Sequence, residues 1–115
     1  MTTIFRRSYN FTNHPLSEGK SIKIICSGKF KAEEQSGGIF IGTVKIRSLI
    51  DTDMGSNDFM AAIVTFPPGA RNKIHTQSRE QVLFVTEGRG IVATENEEVE
   101  VTKGDIILIP AYEKH

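Results

Sequence analysis

Residues 69–88 read GARNKIHTQSREQVLFVTEG, and this stretch decides the fold. It places His75, Gln77 and Gln81 at odd positions just before an apolar run. Alternate residues of a β-strand share a face of the sheet, so these three side chains are expected to point into one cavity. A second apolar run, GDIILIP at residues 104–110, is followed by another imidazole at His115. Two imidazoles and two amide oxygens that meet at one point would form a divalent-metal site.

From about residue 39 onward the chain divides into short β-rich runs separated by turn residues. The runs cover residues 39–46, 59–66, 81–86, 90–94, 99–102 and 106–109. Helical periodicity is almost absent. Several short strands at this spacing are typical of a β-sandwich or a β-barrel. The sequence therefore predicts a single all-β domain that is mostly antiparallel.

The N-terminal third of the chain follows no clear pattern. Residues 21–26, SIKIIC, form one possible strand, and residues 28–38 are predicted to be a turn followed by a polar loop. The first twenty residues carry Asn, Pro and Gly, which favours an irregular arm that covers a sheet edge or reaches a neighbouring subunit. The expected organisation is an N-terminal arm at residues 1–37 and a barrel at residues 38–115.

Composition restricts the classes of partner. The 115 residues suit one domain, and 14 Lys and Arg balance 14 Asp and Glu, so the formal net charge is zero. Nucleic acid and membrane are therefore not expected as partners. The sequence has no signal-peptide core and no apolar run of membrane-spanning length, and its single Cys cannot form an internal disulfide. The expected location is the cytoplasm.

The two apolar runs and their flanking residues resemble the two motifs of the cupin family. The first motif is a Gly, five residues, His-x-His, an acidic or amide ligand, and an apolar strand ending in Gly. The second is a Gly, five residues, Pro-x-Gly and a His. The matching residues are Gly69, His75, Gln81 and Gly88 for the first motif, and Gly104, Pro110 and His115 for the second. The resemblance covers about residues 38–115 and implies a single-domain jelly-roll barrel.

Within that family, the sequences of both motifs are similar to those of a subgroup of small cupins that includes manganese-dependent hydroxynitrile lyases. The subgroup's ligand set of three His and one Gln implies a metal site at His75, Gln77, Gln81 and His115. The metal is expected to be Mn, Fe, Ni or Zn, with Mn favoured by the resemblance. The implied activity is that of a lyase or an oxygenase on a small oxygenated molecule, and no catalytic residue is assigned. A homodimer is also expected, because the apolar run at residues 82–85 has no evident polar outer face.

Two departures from the motifs leave an alternative open. Gln77 replaces the second His of the first motif, which predicts weaker metal binding, and Tyr112 replaces the Gly of the second. The sequence also stops at His115, where relatives continue for one or two strands that close the barrel. Either the chain is truncated or the N-terminal arm substitutes for those strands. The alternative function is a non-catalytic cupin that binds a small ligand and has a degenerate or empty metal site, so the prediction of an enzyme stays open.

Overall fold

The computed structural model describes residues 2–6 and 22–115, which form an almost entirely β structure. This part of the chain contains ten strands and one short 3₁₀ helix, Ser27–Lys29. The strands are β1 Thr2–Arg6, β2 Glu33–Ser36, β3 Phe40–Ile41, β4 Thr43–Ile50, β5 Phe59–Thr65, β6 Arg71–Asn72, β7 Gln81–Phe84, β8 Arg89–Ala93, β9 Glu98–Thr102 and β10 Ile106–Ile109. The predicted all-β class is therefore confirmed.

Six of the strands form one antiparallel sheet in the order β10-β7-β1-β5-β4-β2. The remaining strands form two antiparallel pairs, β3 with β6 and β8 with β9. In the large sheet, β7 and β10 are neighbours, and Gln81 pairs with Ile109. These two strands carry the two sequence motifs, so their pairing brings the ends of both motifs to the same end of the sheet.

The strands predicted from residue 59 onward are confirmed to within about two residues. The predicted run at residues 39–46 is divided at Gly42 into β3 and β4. Gly42 has a φ of +86°, and a β-carbon built on it would lie 3.2 Å from the Cα and Cβ atoms of Ala70. The break follows from this close approach, because only glycine combines a positive φ with the absence of a β-carbon.

The N-terminal region differs from the expectation in three places. Residues 22–26 do not form the predicted strand, and the predicted polar loop contains β2, whose four residues are all exposed. A strand open to water on both faces lacks hydrophobic alternation, so its sequence resembles a loop. Thr2–Arg6, expected to be irregular, forms β1 between β5 and β7. The rest of the expected irregular arm, residues 1 and 7–21, lies outside the described residues.

The core places one polar side chain beside the second motif. The buried apolar residues are Val44, Ala61, Leu83, Val85, Val101 and Ile109. Gln81 precedes Leu83 by two positions in β7, so it shares the buried face of that strand and is only 7% exposed. Among the described residues, no helix is long and apolar enough to cross a membrane.

Candidate metal centre

His75 and His115 lie side by side, as the two motifs predict. The backbone N–H of His75 donates to the carbonyl of His115 at 3.0 Å, and the reciprocal bond is 3.1 Å long. The imidazole centroids are 4.5 Å apart, and the rings are tilted by 50°. The sequence pattern predicts that His75 lies in a strand. The structure differs, because β7 begins only at Gln81. The reciprocal pair of backbone hydrogen bonds aligns the two side chains instead.

Backbone carbonyls fix the orientation of both imidazole rings. Nδ1 of His75 lies 2.8 Å from the carbonyl oxygen of Lys73, and Nδ1 of His115 lies 2.9 Å from that of Glu113. A carbonyl oxygen only accepts hydrogen bonds, so each Nδ1 carries the proton and donates it. In the neutral rings, each Nε2 therefore carries the lone pair that can bind a cation. A hydrogen bond from the other ring nitrogen to a carbonyl oxygen is the arrangement that metal-binding histidines generally use.

Gln81 presents an oxygen to the second imidazole. Its Oε1 lies 3.2 Å from Nε2 of His115. Since Nδ1 of His115 donates to a carbonyl, this contact brings together two atoms that both carry lone pairs. Such a pair is favourable only when a cation, either a proton or a metal ion, lies between them. Gln81 lies in β7 and is buried, so the neighbouring side chains restrict the movement of its amide.

Gln77 presents its nitrogen to the first imidazole. Its Nε2 lies 3.4 Å from Nε2 of His75, while its Oε1 is buried and has no hydrogen-bond partner among the described residues. The backbone carbonyl of Gln77 accepts the N–H of Tyr112 at 2.7 Å. The main chain of Gln77 is therefore tied to the second motif, and its side-chain amide is the part of the residue that can rotate.

The donor chemistry of these four side chains fits a divalent transition metal. Imidazole nitrogen and amide oxygen suit Mn, Fe, Ni and Zn, and all four groups are uncharged donors. No group of three or more His, Cys, Asp or Glu side chains with metal-site geometry is found in the described part of the chain. The fit therefore depends on the two amides. Glu80 does not supply a carboxylate to the site, because it is exposed, whereas its neighbour Gln81 is buried.

Tyr112 occupies a backbone conformation that favours glycine. In the described residues, φ is positive at seven glycines and at one other residue, Tyr112, where it is +65°. This is the position at which the second cupin motif has Gly. The side chain is 73% exposed, so burial does not offset the strain. Tyr112 nevertheless makes the same turn as a glycine would, and that turn carries the N–H that binds Gln77.

A cavity of about 410 Å³ opens beside His115, between β10 and the β8–β9 hairpin. Most of its lining side chains are apolar, and these are Val92, Val99, Val101, Ile107, Leu108, Ile109 and Pro110. Two carboxylates, those of Glu97 and Glu113, line the same cavity. The space therefore combines apolar walls with an imidazole and acidic groups, as small-molecule sites commonly do.

An exposed ion pair lies in a separate recess that shares Glu113 with this cavity. Nζ of Lys114 lies 2.9 Å from Oε1 of Glu95. The hydrogen bond from Lys114 to Glu95, together with the attraction between the two charges, raises the pKa of Lys114 above its ordinary value. Because this pair is open to water, it contributes little to stability. It lies in a smaller polar recess of about 210 Å³ that also contains Tyr112 and Glu113.

Two features of the site were not foreseen from the sequence. The first is the pair of carbonyls, from Lys73 and Glu113, that orients the imidazoles. Each lies two residues before its histidine, but a backbone oxygen leaves no signature in residue type. The second is the lining of the cavity by Glu97 and Glu113. The departure of Tyr112 from the motif glycine was a visible signal that this turn is unusual.

Comparison with known proteins agrees with the fold and the motifs. Residues 62–115 match the family model described as the cupin domain. An uncharacterized protein of Methanocaldococcus jannaschii is 38% identical over 50 residues, which are 43% of this chain and 40% of that protein. An (R)-mandelonitrile lyase of Granulicella tundricola is 39% identical over 77 residues, which are 66% of this chain and 58% of the lyase. No solved structure gives a significant match.

The matched parts span about two fifths and about three fifths of those two relatives. Residues 62–115 are identified as a cupin domain by the family match, together with the all-β fold and these two relatives. The resemblance to hydroxynitrile lyase-like cupins, first suggested by the motifs, is confirmed at the level of sequence.

Proposed function

We propose that this cupin holds a divalent metal ion between His75 and His115 and uses it in lyase-type chemistry on a small oxygenated molecule. Gln81 and Gln77 complete the proposed ligand set, and manganese is the favoured ion by resemblance. The observation that carries the proposal is the contact between Nε2 of His115 and Oε1 of Gln81, two lone-pair atoms only 3.2 Å apart. A divalent ion would turn this unfavourable contact into a pair of coordination bonds.

The other imidazole supports the same conclusion. Nδ1 of His75 donates to a backbone carbonyl, as Nδ1 of His115 does, so neither ring needs to change its tautomer to bind a metal. On an ion that takes six ligands, such as Mn, Fe or Ni, four protein donors would leave positions open for water or substrate, which is the mark of a catalytic site rather than a structural one. When bound, the ion supplies a Lewis acid for an oxygen atom of the substrate.

The side chains around the site suggest how a substrate would be held. The apolar walls formed by Val92, Val101 and Ile107 would exclude water from the non-polar part of the molecule. In cyanohydrin cleavage the hydroxyl proton moves to a base, and cyanide leaves with the electron pair of the broken carbon–carbon bond. Glu97 and Glu113 are the carboxylates that line the cavity, so we assign the proton acceptor to one of these two.

The test is cleavage of mandelonitrile, the compound after which the lyase relative is named. Protein loaded separately with Mn, Fe, Ni and Zn is assayed for benzaldehyde release, beside His115→Ala and the control Glu80→Gln. The proposal expects turnover by the parent and by Glu80→Gln, because Glu80 is exposed and outside the ligand set. It expects no turnover above background by His115→Ala. Equal rates in all three proteins would contradict it.

A second candidate function is a cupin that binds a small molecule without turnover. Its supporting observation is Gln77, whose amide N–H is directed at the lone pair of His75 instead of leaving it free. In this case the cavity beside His115 binds its ligand equally well with and without metal. Ligand binding that survives in His115→Ala, with no turnover by any metal-loaded protein, would favour this second function over the first.

A further inference from the structure

The two His–Gln pairs of the site are oriented in opposite ways. In the pair of His115 and Gln81, the amide oxygen faces the imidazole nitrogen at 3.2 Å. In the pair of His75 and Gln77, the amide nitrogen faces it at 3.4 Å. Since both rings carry their proton on Nδ1, the first pair needs a cation between its members and the second does not.

The orientation of the Gln77 amide follows from the tautomer of His75. An amide oxygen in the place of the nitrogen would oppose the lone pair on Nε2 of His75, whereas the N–H₂ group donates a hydrogen bond to it. The consequence is that Oε1 of Gln77 is buried without a partner among the described residues. A buried oxygen without a hydrogen bond is unfavourable, and only the contact to His75 holds the amide in this orientation. Rotation of the amide toward a bound cation would give that oxygen a partner.

We propose that Gln77 is a reversible cap on His75. Without metal, its amide N–H occupies the lone pair of His75. When a divalent ion binds, the amide turns by about half a revolution, and its oxygen replaces its nitrogen beside the ion. The main chain need not move, because the carbonyl of Gln77 stays bonded to the N–H of Tyr112. This inference rests on the proposed metal centre and adds to it a regulation of metal entry.

The cap affects the rate of metal binding in a defined way. Only the fraction of molecules with an uncapped His75 can bind, so the apparent association rate falls in proportion to that fraction. A single neutral hydrogen bond lowers the uncapped fraction about two- to tenfold. In the other pair, the oxygen of Gln81 already faces the ion's position and blocks nothing. Removal of the two amides should therefore have opposite kinetic signatures.

Stopped-flow measurement of Zn²⁺ binding compares the parent with Gln77→Leu and the matched control Gln81→Leu. Leucine removes the amide in both cases. The cap predicts a two- to tenfold faster association for Gln77→Leu, and for Gln81→Leu an unchanged association with faster dissociation. Association by Gln77→Leu that is no faster than that of the parent would overturn the cap.

Because Gln81 is buried and its variant is at risk of misfolding, NMR of the labelled parent protein provides a second test. Before zinc is added, nuclear Overhauser contacts are expected between the Gln77 amide protons and the His75 ring. After zinc is added, these contacts should disappear. The nuclear Overhauser contacts of the Gln81 amide protons should remain. Persistence of the Gln77 contacts in the zinc-bound protein would refute the rotation.

The two proposals fail in distinguishable ways. If zinc changes neither histidine ring, the metal centre is wrong and the rotation is wrong with it. If zinc shifts both rings but the Gln77 amide keeps its contacts to His75, the metal centre stands and only the cap is wrong. Absence of those contacts in the metal-free protein would likewise refute the cap alone.

Discussion

Replacement of Gln77 by histidine tests the geometry of the site most sharply. The change removes the amide N–H that now lies 3.4 Å from Nε2 of His75. A single neutral hydrogen bond contributes roughly 0.5–1.5 kcal/mol, so its removal should tighten metal binding by about that amount. It also replaces an amide oxygen by an imidazole nitrogen, a better donor for Mn, Ni and Zn. Since each 1.4 kcal/mol is about a factor of ten in affinity, Gln77→His should bind metal about tenfold more tightly or better.

Calorimetric titration with Mn²⁺ and Ni²⁺ measures this effect in the parent, Gln77→His and His75→Ala. The last variant should show no binding, and binding by the first two should weaken as the solution is acidified, because only neutral imidazole ligates. Equal affinities for the parent and Gln77→His would refute the placement of Gln77 beside the ion. Undetectable binding by both would mean that the cavity is metal-free, and the non-catalytic binding function would then lead.

Three further predictions concern the fold and assembly. Tyr112→Gly should raise the free energy of unfolding, measured by urea titration, because glycine relieves the strain at φ +65°. The net increase should be only about 0.5–1 kcal/mol, because glycine also adds freedom to the unfolded chain. A decrease would contradict this. Gly42→Ala should lower the free energy of unfolding by about 2 kcal/mol, because the new β-carbon would lie 3.2 Å from Ala70 at a residue with positive φ. An unchanged urea midpoint would show that β3 and β4 can shift freely. The expected homodimer should form through the outer face of β10, where Ile106 is 67% exposed. Ile106→Lys should then sediment as a monomer, while the control Ile91→Lys, at a residue that is 66% exposed on β8, should stay dimeric. A parent protein that is monomeric at all concentrations would exclude the dimer.

The sequence predicted those parts of the fold in which hydrophobic pattern and structure coincide. β7 is a short apolar run followed by Gly88, β10 is one preceded by Gly104, and their pairing follows from the two motifs. β2 could not be predicted, because all of its side chains are exposed and leave no alternation. β1 could not be predicted because five residues at a chain end, Thr2–Arg6, become a strand only through their pairing with β5 and β7.

The sequence predicted that four side chains lie together, but not how they are arranged. The spacing identified His75, Gln77, Gln81 and His115, and the structure brings all four together. Strand alternation was the wrong reason for His75 and Gln77, which lie before β7 and are held by backbone bonds to His115 and Tyr112. Which end of each amide faces an imidazole depends on tautomers set by backbone carbonyls, and residue types carry no record of that.

The metal content of the purified protein tests the central claim most directly. Protein prepared without chelators is analysed by inductively coupled plasma mass spectrometry, beside His75→Ala and His115→Ala prepared in the same way. The parent is expected to contain close to one divalent transition-metal ion per chain, and either variant almost none. A parent without metal that also takes up none on dialysis against Mn²⁺, or equal metal content in all three proteins, would contradict a metal centre at His75 and His115.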